Sequence, residues 1–97
     1  MKLDVSPKAK REMAEIALWY ESKERGLGHS FRHELRESFQ QICRYPLAAA
    51  SVDGQIRRTI LRKFPYALFH VVEGNKVIVL SCMHQSRDPA EWPTMDH

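Results

Sequence analysis

Tyr66-Ala67-Leu68-Phe69-His70-Val71-Val72-Glu73-Gly74-Asn75-Lys76-Val77-Ile78-Val79-Leu80-Ser81-Cys82-Met83 is the stretch that decides the fold. Two runs rich in β-branched and aromatic residues flank Glu73-Gly74-Asn75, a short reverse-turn signal, so the chain is read as a β-hairpin here. Their near-continuous apolar character predicts that Val77 to Met83 is a central strand, covered on at least one face. A lone hairpin is marginal in water. The rest of the chain must therefore supply further strands and something to cover them.

Immediately upstream, Ile56 to Lys63 is rich in β-branched and basic residues and predicts another strand, ended by Phe64-Pro65. Pro65 cannot donate to a ladder, so an edge, bulge or bend is expected there. Pro46 to Gln55 reads as a loop that closes on Asp53-Gly54, a turn signal. Further back lie two helical patterns. Ser6 is placed to cap a helix that begins at Pro7, where a missing N–H costs nothing. Met13, Ile16, Ala17 and Tyr20 then recur at helical spacing up to about Arg25. Gly26-Leu27-Gly28 interrupts that helix. A second helix, from about His29 to Tyr45, carries Phe31, Leu35, Phe39 and Ile42 on one stripe and stops before Pro46. Three linking residues force an antiparallel helical hairpin. Lys2 to Val5 alternates as a short strand at or near a sheet edge. The predicted order is β-α-α-β-β-β over residues 1–97. It describes one α+β domain with the helical hairpin packed on one face of a mostly antiparallel sheet. The tail after Met83 carries Arg87-Asp88-Pro89 and Trp92, and is expected to pack back on the sheet as a loop or single helical turn.

Composition removes several classes of function. The net charge is +3, too small for a polycation. The distribution says more: Arg57, Arg58, Arg62 and Lys63 fall within seven residues, and no acid occurs from Ile56 to Val72. Such a strip favours a phosphate backbone or an acidic protein segment as partner. No run approaches the roughly 18 apolar residues of a membrane span, and the start lacks the apolar run of a secretory signal, so a cytoplasmic, membrane-free protein is expected. Cys43 and Cys82 belong to no C-x-x-C pair and read as small core residues, not as a disulfide. His29 and His33 have helical i, i+4 spacing, but that pair alone is a weak signal, so no metal site is expected. A phosphate-binding glycine loop and a nucleophile elbow are both missing, and no cofactor is expected.

Four features in order give the chain a family resemblance: Trp19-Tyr20-Glu21 near the end of the first helix; Gly26-Leu27-Gly28 followed by Phe31; Ile56-Arg57-Arg58 running into Phe64-Pro65-Tyr66; and His84 with Arg87-Asp88-Pro89 and Trp92. Together they resemble the RelE/ParE superfamily of toxins from bacterial type II toxin–antitoxin systems, and most closely its ParE-like branch. The resemblance implies an α+β toxin neutralised by a cognate antitoxin whose C-terminal segment wraps around it. It implies one of two poisons: inhibition of DNA gyrase in ParE-like members, or cleavage of messenger RNA on the ribosome in RelE-like members. A toxin fold that retains only antitoxin binding is a third reading.

Each reading asks something different of the residues. A metal-free ribonuclease must deprotonate a 2′-hydroxyl, hold charge on the phosphate and protonate a leaving oxygen. Arg57, Arg58, Arg62 and Arg87 are candidates to hold the phosphate; Tyr66, His84, Lys63 and His97 are candidates for acid and base. RelE-like nucleases typically place a tyrosine or histidine among basic residues close to the C-terminus, whereas this chain ends Trp92-Pro93-Thr94-Met95-Asp96-His97, without Tyr, Arg or Lys. The expectation is therefore a ParE-like gyrase inhibitor, with Arg57, Arg58, Arg62, Lys63 and Arg87 as candidates for binding antitoxin or target. His84 reads equally as a hydrogen-bonded strand-end residue, Arg87 and Asp88 as a mutual pair or a cap, and Trp92 as an apolar plug. Trp19 and Tyr20 are expected to pack in the core or helical hairpin. Arg57 and Arg58 alternate, so they belong to opposite faces of their strand, and the sequence leaves open which face is functional.

Overall fold

The structure is a computed structural model that describes residues 1–95. Its elements are β1 (Lys2–Val5), α1 (Pro7–Lys23), α2 (Leu27–Arg44), β2 (Ser51–Asp53), β3 (Ile56–Ile60), β4 (Tyr66–Glu73), β5 (Lys76–His84) and a single 3-10 turn (Pro89–Glu91). The sheet runs β1-β5-β4-β3-β2. β1 pairs with β5 in parallel, and every other pairing is antiparallel.

The local signals act as their chemistry dictates. The Ser6 hydroxyl accepts the Ala9 amide at 3.0 Å, and Pro7 occupies the first turn of α1. The same hydroxyl donates to the Leu80 carbonyl at 3.0 Å, tying the helix start to β5. Glu73 and Lys76 pair across the tight turn, where Gly74 takes φ +62°. This left-handed geometry suits hairpin twist and favours glycine. The predicted hairpin is β4–β5, at the middle of the sheet.

Three boundaries differ from the sequence expectation. α2 begins at Leu27, two residues early, because Gly26 (φ +88°) completes the reversal alone. Gly28 consequently lies inside α2 against α1, and a Cβ there would stand 2.5 Å from the Ala17 carbonyl oxygen. The Pro46–Gln55 loop contains a three-residue strand, β2, joined to β3 by the expected turn at Gly54. With Val52 as its only large apolar residue, it had no alternation to reveal it. β3 stops at Ile60, not Lys63, because the amides of Arg62 and Lys63 turn to the Glu34 carboxylate.

The sheet has two apolar faces. One meets the helices through Leu68, Val77, Val79 and Cys82, which pack with Ala9, Met13, Ala17, Phe31, Leu35 and Ile42. The other carries Ile56, Ala67, Phe69, Val71 and Met83, and Trp92 from the tail packs on it. β4 serves both faces by strict alternation. β5 carries an irregularity opposite Phe69/His70, where Ser81 and Val79 are the successive partners and Leu80 is the extra residue. Consequently both Ser81 and Cys82 are available to α1. The Glu12 carboxylate accepts the Ser81 hydroxyl at 2.9 Å and the Cys82 amide at 3.0 Å. Cys43 and Cys82 are free thiols, and burial, with the Glu12 charge as a lesser cause, pushes the Cys82 thiol up to about 12.

Trp19 departs from expectation. It lies outside the stripe of α1 that faces the sheet and stays 54% exposed, its ring edge-on to Tyr20 at 5.1 Å and under the Lys23 ammonium at 5.2 Å. Tyr20 does pack inward, against Phe31, Phe64 and Tyr66.

Candidate functional site

The basic strip divides between surfaces that the sheet geometry keeps apart. Arg57 points toward the link between α2 and β2, where its guanidinium donates to the carbonyls of Ala49 at 2.7 Å and Leu47 at 3.1 Å. Those bonds staple a turn that has little ladder of its own. Arg58, one residue on, emerges on the opposite sheet face. Its guanidinium carbon stands 4.7 Å from the Trp92 ring centre and 5.9 Å from that of Phe69, and Nη2 donates to the Gln85 carbonyl at 3.3 Å. Its Nε is buried with no hydrogen-bond partner among the described residues. Cation–π contact with two rings and a shared strap thus occupy this arginine.

Arg62 and Lys63 sit in the bend after β3. Their backbone amides are taken by Glu34, a buried carboxylate on α2 that accepts from Lys63 at 3.0 Å and also from Arg62. Both side chains are exposed and make no ion pair among the described residues. They are the most available part of the strip.

Tyr66 and His84 pair across β4 and β5, with ring centres 5.2 Å apart and edge to face. His84 Nδ1 accepts both the Ser86 amide at 3.1 Å and a hydrogen bond from the Ser86 hydroxyl at 2.7 Å. An amide can only donate, so Nδ1 carries no proton in this arrangement and the ring is the Nε2–H tautomer. Burial, and secondarily Cys82, pushes the Tyr66 phenol above its ordinary value of 10.0. Desolvation therefore opposes the phenolate that a general base would need. Arg87 is exposed and donates twice to Glu91 Oε1, at 2.8 and 3.1 Å, while Asp88 caps the 3-10 turn by accepting the Ala90 amide at 2.9 Å. Arg87 and Asp88 thus have separate structural partners. His97 lies outside the described residues.

The nuclease candidates among the described residues share no single cluster of side-chain contacts. Tyr66 and His84 touch, Arg58 lies on the other sheet face under Trp92, Arg62 lies in the bend beside α2, and Arg87 is paired on the tail. Among the described residues no three His, Cys, Asp or Glu side chains are grouped as metal ligands. His33 instead lies 3.8 Å from Glu37. Among the described residues no helix is long and apolar enough to cross a membrane.

Sequence reasoning assigned no hydrogen-bonding role to three glutamates. Glu12 holds β5, Glu34 holds the β3–β4 bend, and Glu21 accepts the amides of Gly26 at 2.9 Å and Gly28 at 3.0 Å at the start of α2. Gly26 offers no side chain to cap that helix, so a residue from the preceding helix does it. The only available signal was the proximity of Glu21 to a glycine-bounded helix start. For Glu12 and Glu34 the partners lie at least 28 residues away, beyond any local pattern.

The fold and its residues have known counterparts. The family model for the ParE toxin of the type II toxin–antitoxin system parDE matches residues 3–89. No curated protein matches the sequence. Among solved structures, one from the chromosomal ParDE toxin–antitoxin system of P. aeruginosa superposes with a TM-score of 0.72 at 18% identity, over 87% of this chain and 95% of that one. The isolated E. coli RelE toxin gives a TM-score of 0.64 at 21% identity, over 90% of this chain and 86% of that one. A chain of the intact E. coli RelBE toxin–antitoxin complex gives 0.60 at 21%, over 89% and 98%. At such identities the solved structures speak for the fold, and the family model, spanning nearly the whole sequence, speaks for membership. The chain belongs to the ParE toxin family, the toxin component of type II toxin–antitoxin systems.

Proposed function

We propose that this toxin acts in the cytoplasm by binding: it inhibits DNA gyrase stoichiometrically and is neutralised by a cognate antitoxin. The observation that carries the proposal is the state of the groups a ribonuclease would need. His84 Nδ1 accepts from Ser86, burial pushes the Tyr66 phenol further above its ordinary value of 10.0, and the Arg58 guanidinium lies over the Trp92 ring. General acid–base catalysis wants a group near the working pH and within reach of the substrate proton, with cations on the same phosphate. Apart from the Tyr66–His84 ring contact, the arrangement offers groups held by structural partners.

Arg62 and Lys63, exposed and unpaired among the described residues, are the cations proposed to meet the target. Substitution tests the division of labour. His84→Ala and Tyr66→Phe are expected to leave growth arrest intact wherever the variant accumulates as folded protein, while Arg62→Glu with Lys63→Glu abolishes it. Loss of arrest on Tyr66→Phe in a folded variant, with restoration by no other change, would move the proposal to the messenger RNA cleavage reading. Normal growth on expression of folded wild type without antitoxin would instead leave antitoxin binding as the only function.

A further inference from the structure

The two edges of the sheet are finished differently. β2, at one edge, is three residues long, its register shifts between Ser51 and Asp53, and the Asp53 carboxylate accepts the Met95 amide from the tail at 3.0 Å. Irregularity and a covering segment are common protections of an edge. β1, at the other edge, is regular: its four residues pair with β5 in unbroken register, from Lys2 with Lys76 to Val5 with Val79, and no strand among the described residues pairs with its outer side. The ladder decides which groups are left over. The amides of Lys2 and Ser6 donate inward, to the carbonyls of Asn75 at 3.1 Å and Val79 at 2.9 Å. In a parallel pairing of this register residues 2 and 4 bond to β5, and residues 3 and 5 point their N–H and C=O groups outward. No turn, loop or cap bond takes up those groups among the described residues. Side chains follow their own alternation. Leu3 and Val5 pack against the core under the helices, whereas Lys2 and Asp4 are exposed on the opposite sheet face. Asp4 lies 3.1 Å from Lys76, and Lys2 has no ion-pair partner among the described residues.

We propose that β1 pairs antiparallel with β1 of a second copy of this chain, about a two-fold axis at Leu3, joining two five-stranded sheets into one. Unpaired backbone groups accept any extended strand; the charge pattern selects this one. With Leu3 opposite the partner's Leu3, the outward groups of each meet as a hydrogen-bonded pair, and the Val5 amide meets the partner's Met1 carbonyl. Lys2 then stands opposite the partner's Asp4, and Asp4 opposite the partner's Lys2, in the closer, non-hydrogen-bonded positions where opposite charges attract. Other centres fail. An axis at Lys2 or Asp4 sets like charges face to face and opposes groups already bonded to β5, and an axis between residues opposes an outward group to an inward one. An axis at Val5 brings Leu3 against Pro7, which has no amide and opens α1. The Leu3 register repeats each contact on both copies, as a two-fold interface requires. β3 and the bend after it lie toward the opposite edge, so the dimer carries Arg62 and Lys63 of each copy toward its far ends. The inference goes beyond the gyrase reading and does not depend on it.

The test is sedimentation equilibrium of the purified, antitoxin-free full chain over a range of concentrations, with two charge variants of exposed residues. Wild type is expected to pass from one copy to two as concentration rises. Lys2→Glu faces two acids across the axis and Asp4→Lys faces two lysines, so each variant alone should dimerise roughly tenfold more weakly than wild type, and less so at high salt. Mixed in equal amounts, the two variants again oppose unlike charges at both positions, and the mixture should recover dimers that neither forms alone. A merely structural role for Lys2 or Asp4 gives no such recovery. The Leu3 amide supplies a second readout: its hydrogen exchange should slow as concentration rises, even where a variant folds poorly. A wild-type chain that stays a single copy at every concentration overturns the proposal. So does a dimer that both variants form as well as wild type, a mixture no more associated than its components, or a Leu3 amide whose exchange ignores concentration. The readout is mass and exchange, not growth arrest or supercoiling, so this inference and the gyrase reading fail separately.

Discussion

At the scale of single residues, His70 shows how burial turns into pH dependence. It is 1% exposed, Nε2 lies 2.9 Å from the Pro46 carbonyl, and Nδ1 has no hydrogen-bond partner among the described residues. Desolvation, opposed by the Pro46 bond and reinforced by Arg57, holds its pKa below the ordinary 6.5. The unfolded chain therefore binds a proton below pH 6.5 that the native state refuses. By linkage, stability is full above about 6.5 and declines as pH falls from there toward the native pKa. Urea midpoints at pH 7.5 and 5.5 should differ more for wild type than for His70→Gln. Equal differences would mean that His70 titrates alike in both states. The same local reading separates Arg57 from Arg58. The sequence placed them on opposite faces because strand alternation is a local property. It had no means to say that Arg57 would staple the Leu47 and Ala49 carbonyls while Arg58 entered the Trp92 and Phe69 rings, since those partners arrive through the fold.

Elements whose making is local were the most legible. Ser6-Pro7 marks the start of α1, the stripe Phe31, Leu35, Phe39 and Ile42 marks the inner face of α2, and Glu73-Gly74-Asn75 marks the central hairpin turn. β2 was not legible, because three residues with one large apolar side chain carry no period. Nor was the end of β3, because it depends on Glu34 from a distant helix. That dependence gives a prediction at this scale. Glu34→Ala leaves the amides of Arg62 and Lys63 without their buried acceptor, and should cost about 1 to 3 kcal/mol for each one that water cannot reach. A melting curve checks it. Amide exchange should localise the damage to the β3–β4 bend. An unchanged melting temperature would mean that the bend reforms with water in place of the carboxylate. Glu12 at β5 and Glu21 at the start of α2 repeat the device, so helix carboxylates hold backbone amides at three places in the molecule.

For the whole molecule, the topology explains why a basic strip contiguous in sequence is not one surface in space. β3 sits second from the sheet edge, so its alternate residues serve two faces, and the bend after it carries Arg62 and Lys63 out beside α2. The family was legible from ordered motifs because each motif performs a fold-level task. Gly28 allows α1 and α2 to approach, Tyr66 completes an aromatic cluster with Tyr20, Phe31 and Phe64, and Trp92 covers the far sheet face. Motifs that build a fold identify it well and report less on the target, and for this reason the site was less legible than the architecture.

The central claim is that this toxin poisons by binding gyrase. The most direct test places purified, antitoxin-free chain in two assays at once: supercoiling by purified gyrase, and integrity of messenger RNA in a translating extract. The account predicts lost supercoiling at toxin concentrations comparable to gyrase, with intact message. Cleaved message beside working gyrase would contradict it and make Tyr66 and His84 the first residues to examine as catalysts.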